Sequence, residues 1–342
     1  MRFEFKRRGI VSEFESPFEN FKSVRVTGEV RVCPLSGHPT RLLPVRLKDF
    51  ARTDWTPIIN RSRELGCPFC PEAIEVKTPR FPGSYGLEKG RIRVGGATVF
   101  PNAFPYDDHC AVVVFTGQHY LSPGQFTPEM LADGFAAALR YFHTAARVVP
   151  DARQATLNWN YMPLAGAGII HPHLQTALLP EMTAYYRTVS ERQARYAAEG
   201  GGSIFDDLVA REAKEGERYI AALGNWHWLS AFAPRGIHEF WGVLSPGGNS
   251  AEAVDPELPN LSAGVCRILK FFESKGVQAF NFSWYFVFKP SAPGMRHWVT
   301  VVPRVNFPGF GTSDVSYFDR LQGESVTFVP PEDAARELQG YF

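Results

Sequence analysis

Asn158-Trp159-Asn160-Tyr161-Met162-Pro163-Leu164-Ala165-Gly166-Ala167-Gly168-Ile169-Ile170-His171-Pro172-His173-Leu174-Gln175 is the stretch whose reading decides the rest of the chain. If His171 to Gln175 is extended, the two-residue period puts His171, His173 and Gln175 on one face and Pro172 and Leu174 on the other. Pro172 cannot donate to a sheet ladder, so it predicts an edge strand, a strand start or a bulge. Just upstream, Gly166-Ala167-Gly168 is a small-residue turn whose backbone N–H groups can line an anion site without side-chain obstruction. An imidazole beside a phosphate is the chemistry this pattern suggests. The plain alternative is a solvated strand face after an ordinary turn.

The stretch resembles the signature of the histidine-triad superfamily, and within it the galactose-1-phosphate uridylyltransferase branch: Asn, a Gly/Ala/Ser loop, then His-Pro-His-x-Gln. Asn160, Gly166, His171, His173 and Gln175 fall at its spacings. The resemblance implies an α+β fold of two tandem histidine-triad-like units, each an antiparallel sheet with packed helices. It also implies an enzyme that moves UMP or AMP from a nucleotide sugar to a sugar-1-phosphate or phosphate through a covalent nucleotidyl-histidine. A nucleotide-sugar or dinucleotide phosphorylase or hydrolase of the same superfamily is the nearest alternative. A nucleotide-binding protein with little catalysis is the alternative of another class.

With 342 residues the chain is long enough for two packed domains, and its net charge of +1 gives no basic field to attract nucleic acid. Apolar runs such as Ala111 to Phe115 fall far short of a membrane span, so no membrane partner is expected. The first eight residues, Met1 to Arg8, hold no apolar core of a signal peptide, which makes a cytoplasmic location the default expectation. Five cysteines are too few and an odd number for a disulfide framework. Cys67-Pro68-Phe69-Cys70 instead has the spacing that lets two thiolates grip one tetrahedral metal. A redox pair of the thioredoxin kind needs a strand before it and a helix directly after, which Pro71 and the preceding loop do not offer. Cys33, Cys110 and Cys266 sit in apolar or strand-like surroundings and read as packed thiols.

Along the chain, Glu29 to Arg46 reads as two strands around a Leu35-Ser36-Gly37-His38 turn, similar to the family's opening segment but with Cys33 where an acidic residue is usual. Arg91 to Asn102 reads as a strand, and its end resembles the family segment that brings an asparagine, here Asn102, to the nucleotide. Ala111 to Thr116 is a buried strand that delivers Gln118-His119. Met130, Leu131, Phe135, Ala138, Leu139 and Phe142 recur at helical spacing between Glu129 and Val149, with Pro150 as the stop. Glu181 to Ala222 is charged, broken by Gly200-Gly201-Gly202, and helical from Asp206 to Ile220. The second half then repeats strand, helix, strand, strand: His238 to Ser245, Leu258 to Phe272, Phe280 to Lys289 and His297 to Pro303. The expected organisation is residues 1–180 as the unit carrying the chemistry, 181–222 as bridging helices and 223–342 as a degenerate copy. That copy has His297-Trp298-Val299-Thr300-Val301 in place of the His-Pro-His-x-Gln motif and Gly247-Gly248-Asn249 in place of Gln118-His119.

The resemblance assigns roles residue by residue. Cys67, Cys70, His119 and His171 form a Cys₂His₂ set for one Zn2+ per chain; four protein ligands close the shell, so the metal is structural. His109 is a rival for the third ligand, and His119 is preferred because it stands at the family's position. His173 is the expected nucleophile. Gln175 on the same face, with the Gly166, Ala167 and Gly168 amides, meets the charge that builds on the phosphate. Asn102 and Asn160 complete the expected substrate-binding set. Three departures narrow the inference: Gly168 replaces a usual serine, the second half lacks the His-x-His that holds a further metal in some relatives, and Val305 to Thr312 matches the hexose-binding stretch only loosely. Nucleotidyl transfer is thus better supported than galactose. The expected partners are a nucleotide sugar and a phosphate-bearing acceptor, with a homodimer left open.

Overall fold

The computed structural model describes residues 3–44, 50, 52–149, 151–289, 291–307 and 311–342. β1 (Lys6–Ser16) and β2 (Lys22–Val32) pair as a long antiparallel hairpin, and β2 passes through the expected turn into β3 (Pro39–Leu42). Gly37 takes the left-handed φ of +78° that this turn needs. Arg46, where the second strand was expected to end, lies outside the described residues. The short helices α1 (Thr56–Glu64) and α2 (Ile74–Lys77) flank the Cys67–Cys70 loop.

The first unit runs β4 (Ile92–Val94), β5 (Ala97–Pro101), β6 (His109–Val114), α3 (Pro128–Ala146), β7 (Gln154–Tyr161), β8 (His173–Leu179). Arg91 to Asn102 is therefore a hairpin and not one strand. Val94 pairs with Ala97 around Gly95-Gly96, a two-residue loop of the kind glycines favour. Thr127 caps α3 by accepting from the Met130 N–H, and the apolar stripe from Leu131 to Phe142 is buried. The helix ends at Ala146, and the expected stop, Pro150, lies outside the described residues.

Then come α4 (Ala184–Ala198) and α5 (Ile204–Glu215). Helix was expected as far as Ile220; it ends at Glu215 because Gly216 adopts the left-handed conformation and caps it. Tyr219–Leu223 is instead β9, the first strand of the second unit, followed by β10 (Trp226–Ser230), β11 (Phe240–Leu244), α6 (Leu258–Ser274), β12 (Ala279–Phe286) and β13 (Trp298–Arg304). The chain closes with β14 (Asn306–Phe307), β15 (Thr312–Ser313), β16 (Ser325–Thr327) and α7 (Pro331–Gln339). β16 runs parallel to β3 in a separate four-stranded sheet.

The fold is α+β, and its main sheet has the order β4-β5-β6-β8-β7-β12-β13-β11-β10-β9. Read from either end it gives the same sequence of hairpin, strand, last strand, penultimate strand. Two copies of one unit therefore meet edge to edge at β7 and β12, where Asn158 faces Ser283. The register fixes the equivalences. Val114 pairs with His173 as Val243 pairs with Trp298, and Val112 pairs with Gln175 as Trp241 pairs with Thr300. Trp298 thus stands in the place of His173, one residue on from the alignment that the histidines alone suggest. Even the hairpin turns match: the Gly96 N–H donates to Asp133 of the first unit, and the Asn225 N–H donates to Glu257 of the second.

α3 and α6 pack together on one face of the sheet and enclose the largest core, from Val99 and Phe135 to Trp284 and Val301. The other face differs between the units. Over the second it is covered by α4 and α5, whose Tyr186, Val189, Phe205 and Leu208 pack on Trp241, Val243 and Trp298. Over the first it carries the candidate site. Among the described residues, no helix is long and apolar enough to cross a membrane.

Candidate functional site

β8 begins at His173, so Pro172 sits immediately before the strand, where its missing N–H costs no ladder bond. Leu174 is buried on the α3 side, while His173 and Gln175 face the opposite side beside Phe69, Phe100, Val112 and Val114. β8 is an inner strand, held by β6 and β7, and its register fixes both polar side chains. The Phe69 ring meets the His173 ring at 5.1 Å in an edge-on contact, which further fixes the imidazole.

Cys67, Cys70, His119 and His171 converge, with their ligating atoms all within 4.8 Å of one another. Cys67 Sγ lies 3.8 Å and Cys70 Sγ 3.6 Å from His171 Nδ1, and Cys70 Sγ lies 3.3 Å from His119 Nδ1. A tetrahedron with metal–sulfur bonds of about 2.3 Å and metal–nitrogen bonds of about 2.0 Å has sulfur–nitrogen edges of about 3.5 Å, so the donor set fits zinc in both chemistry and size. Both imidazoles turn Nδ1 to the thiols and use Nε2 elsewhere. His171 Nε2 lies 2.8 Å from the Thr116 carbonyl and His119 Nε2 lies 2.7 Å from Ser62 Oγ, which in turn donates to the Ile59 carbonyl at 2.8 Å. These outer contacts hold each ring in the tautomer a metal needs. Burial, then the charge of the adjacent Cys67, pushes the Cys70 thiol up to about 12, and burial lowers His171 to about 4. A dication would offset the cost of the thiolate and has a neutral imidazole ready. His109 stands at the far end of β6 with Nδ1 3.1 Å from the Tyr85 hydroxyl, away from this cluster.

Two residues beyond His171, His173 Nδ1 lies 2.8 Å from the His171 carbonyl oxygen. That bond puts the proton on Nδ1 and leaves the Nε2 lone pair free. Burial lowers the His173 pKa, against the opposing pull of the carbonyl, so the ring is neutral at pH 7. His173 lines a cavity of about 420 Å³ together with Gln175, Asn160, Asn102 and the Gly166–Gly168 loop. Gly166 adopts φ +88°, a left-handed turn that L side chains resist, while a Cβ at Gly168 would meet open space. A second cavity of about 380 Å³ adjoins the first, sharing Asn102, Asn160 and Gln175 and adding Asn158, Asn281 and Ser283. The structure thus brings His173, Gln175, Asn102, Asn160 and residues 166–168 to one cleft, with the Cys₂His₂ cluster behind it.

Sequence reasoning overlooked Asn281 and Ser283. They come from β12 of the second unit and meet Asn160 and Asn158 across the seam. The alternation Asn281-Phe282-Ser283 was the available signal: two polar residues on one face of a strand that otherwise reads as core.

No family model matches the sequence. An uncharacterised protein of Archaeoglobus fulgidus is 29% identical over 317 residues, covering 91% of each chain. Among solved structures, the ADP-glucose phosphorylase of Arabidopsis thaliana with bound ADP-glucose superposes with a TM-score of 0.69 at 17% identity, covering 91% of this chain and 98% of that one. A uridylyltransferase mutant superposes with a TM-score of 0.66 at 16% identity, covering 91% and 97%. With its duplicated sheet, the chain shares the fold of these two solved structures.

Proposed function

We propose that the protein is a nucleotidyltransferase that takes UMP or AMP from a nucleotide sugar and passes it to a phosphate-bearing acceptor through His173. The observation that carries this is the His173–His171 carbonyl bond, which leaves a neutral imidazole with a free Nε2 in a cleft that has the Gly166–Gly168 loop on its wall. In the first step the Nε2 lone pair attacks the α-phosphorus; the P–N bond forms as the P–O bond to the β-phosphate breaks, and the sugar phosphate leaves with the electron pair. In the second step an acceptor phosphate oxygen attacks the same phosphorus and the imidazole leaves. A phosphate leaving group needs no general acid. Gln175 and the backbone amides of residues 166–168 are placed to meet the charge on the phosphoryl oxygens.

Zinc at Cys67, Cys70, His119 and His171 would be structural, because four protein ligands leave no open position. It would tie the Cys67–Cys70 loop to the start of β8 and so fix His173. On this reading residues 1–180 carry the chemistry, 181–218 bridge and cover, and 219–342, which β9 brings into the sheet four residues earlier than the expected 223, are the copy that completes it. Inorganic phosphate as acceptor would make the enzyme a phosphorylase, a sugar-1-phosphate a transferase. Gly168 supports an acceptor range not confined to galactose-1-phosphate.

The test is to incubate the zinc-loaded protein with ADP-glucose or UDP-glucose labelled at the α-phosphate, without acceptor. The expected result is an acid-labile, alkali-stable label on the protein, released by phosphate or by a hexose-1-phosphate in a panel of acceptors. Inversion at phosphorus in a single turnover would mean direct attack by the acceptor and would overturn the covalent route. Absence of both label and turnover with every nucleotide sugar would favour a binding protein.

A further inference from the structure

We infer that β12 of the degenerate unit sets the polarity of the cleft: Asn281 is a positioning residue that obliges Asn160 to present its N–H donors to a bound phosphate ester. The argument starts at Arg304, which can only donate. Its guanidinium is held by Asp314, with Nε 2.9 Å and 3.2 Å from the two carboxylate oxygens and a further terminal nitrogen 3.0 Å away. The other terminal nitrogen donates to Asn281 Oδ1 at 3.2 Å. Asn281 must therefore point Nδ2 the other way, where it donates to Asn160 Oδ1 at 2.8 Å and to the Ala165 carbonyl at 3.0 Å. Asn160 has then spent its oxygen, and its Nδ2 is turned toward the Gly166 loop and the cleft. One step along the seam Ser283 Oγ lies 2.9 Å and Thr156 Oγ1 3.3 Å from Asn158 Oδ1; hydroxyls can donate or accept, so these contacts hold Asn158 in place without fixing which end of its amide faces the cavity. Among the described residues, no protein acceptor meets Asn160 Nδ2.

An isolated asparagine at a ligand site can flip and offer either a donor or an acceptor. Asn160 cannot, because its oxygen is committed by the Asn281 amide N–H, which can only donate. Beside Asn160 the cleft therefore offers an N–H donor without charge, which suits oxygens that bear negative charge and disfavours ligands that offer N–H groups there. The second unit has Trp298 and Thr300 where the first has His173 and Gln175, and still takes part in the first unit's cleft.

This inference rests on the nucleotide reading, and the experiment separates the two. Dissociation constants for ADP-glucose and UDP-glucose are measured by calorimetry on the full-length, zinc-loaded His173→Asn protein, which cannot turn them over, and on the same protein carrying Asn281→Asp, Asn160→Ala or both. A carboxylate at 281 can still accept from Arg304 but has no N–H for Asn160. Asn281→Asp is expected to weaken binding by roughly tenfold, the loss of about one hydrogen bond to a charged group. In the Asn160→Ala background only the repulsion between the new carboxylate and the ligand phosphates remains, so the same change is expected to weaken binding clearly less, whereas a merely structural role for Asn281 would weaken both backgrounds equally. Equal weakening in both, or none in either, overturns the inference and leaves the nucleotide reading standing. If neither nucleotide sugar binds the parent protein, the nucleotide reading fails and the inference falls with it.

Discussion

The two halves of the sheet share topology, register and even the capping of their first hairpins, yet one face of one half is a cleft and the same face of the other is filled. In the first unit that face holds His173, Gln175 and Asn160; in the second the equivalent positions are Trp298, Thr300 and Tyr285. Tyr285 stacks on Trp298 at 4.4 Å with an interplanar angle of 12°, and Tyr186 of α4 stacks on Trp298 at 5.6 Å. Thr300 donates to the buried Glu239, which also binds Trp241 and Arg235. Large rings fill one face by packing, while small residues at 166–168 line the cavity on the other. The difference is one of side chains on a common backbone, so substitutions that exchange roles between the halves can test it.

The largest expected effect is at the metal. Cys67→Ser with Cys70→Ser should reduce bound zinc from one equivalent per chain to less than a tenth, measured by elemental analysis, and should cost folding as much as activity. The second unit offers Ser245-Pro246-Gly247-Gly248 after β11 where the first offers Thr116-Gly117-Gln118-His119 after β6. Two equivalents in the parent protein would contradict the asymmetry. Next comes His173→Asn, which should keep its zinc and its melting temperature while losing the label and at least about 10⁴-fold in kcat. Retained labelling would move the nucleophile elsewhere.

Trp298→Ala addresses the filled half. It removes a fully buried ring stacked on both sides and should cost about 3–5 kcal/mol in chemical denaturation. The molecules that remain folded should turn over normally, because Trp298 lies among α4 and α5 and away from the cleft. A kcat that falls in parallel with stability, even under conditions where the variant is folded, would mean that the second half does more than support.

Much of this contrast was legible in the sequence, and the parts that were not have physical causes. Period-two reading placed His173 and Gln175 on one face because a strand has only two faces. The duplication was readable because helix and strand patterns recur in order. The hairpin at Gly95-Gly96 is hidden in the sequence because Arg91 to Asn102 reads as one run, and the start of β9 reads as helix because Tyr219 and Ile220 follow a charged amphipathic segment with only Gly216 as a break. The register of the copy was one residue off because His297 invites alignment with His171, whereas only cross-strand pairs reveal that Trp298 replaces His173. For Asn281 the alternation with Phe282 signals a polar face on β12, but its partner Asn160 is set only where the two units meet along β7 and β12.

His297 offers the smallest and most specific test. It stands just ahead of β13 as His171 and Pro172 stand ahead of β8, but it binds no thiol. Its Nδ1 accepts from the Val287 N–H at 3.1 Å and its Nε2 lies 2.8 Å from the Ser250 carbonyl, so the ring is neutral with the proton on Nε2. Burial lowers its pKa from 6.5 to about 4, with the Ser250 carbonyl opposing. Between those values the unfolded chain takes up a proton that the folded chain refuses, so stability falls as pH falls, beginning near 6.5 and levelling off near 4. Above 6.5 this residue contributes no slope. The full effect is up to about 3 kcal/mol, less where the folded state relaxes. His297→Gln keeps an acceptor for Val287 and a donor for Ser250 but cannot titrate, so its denaturation midpoint should vary less between pH 6.5 and 4 than that of the parent protein. Identical acid slopes would show that the ring is protonated without cost, and that the second half is less tightly filled at this point than its packing suggests.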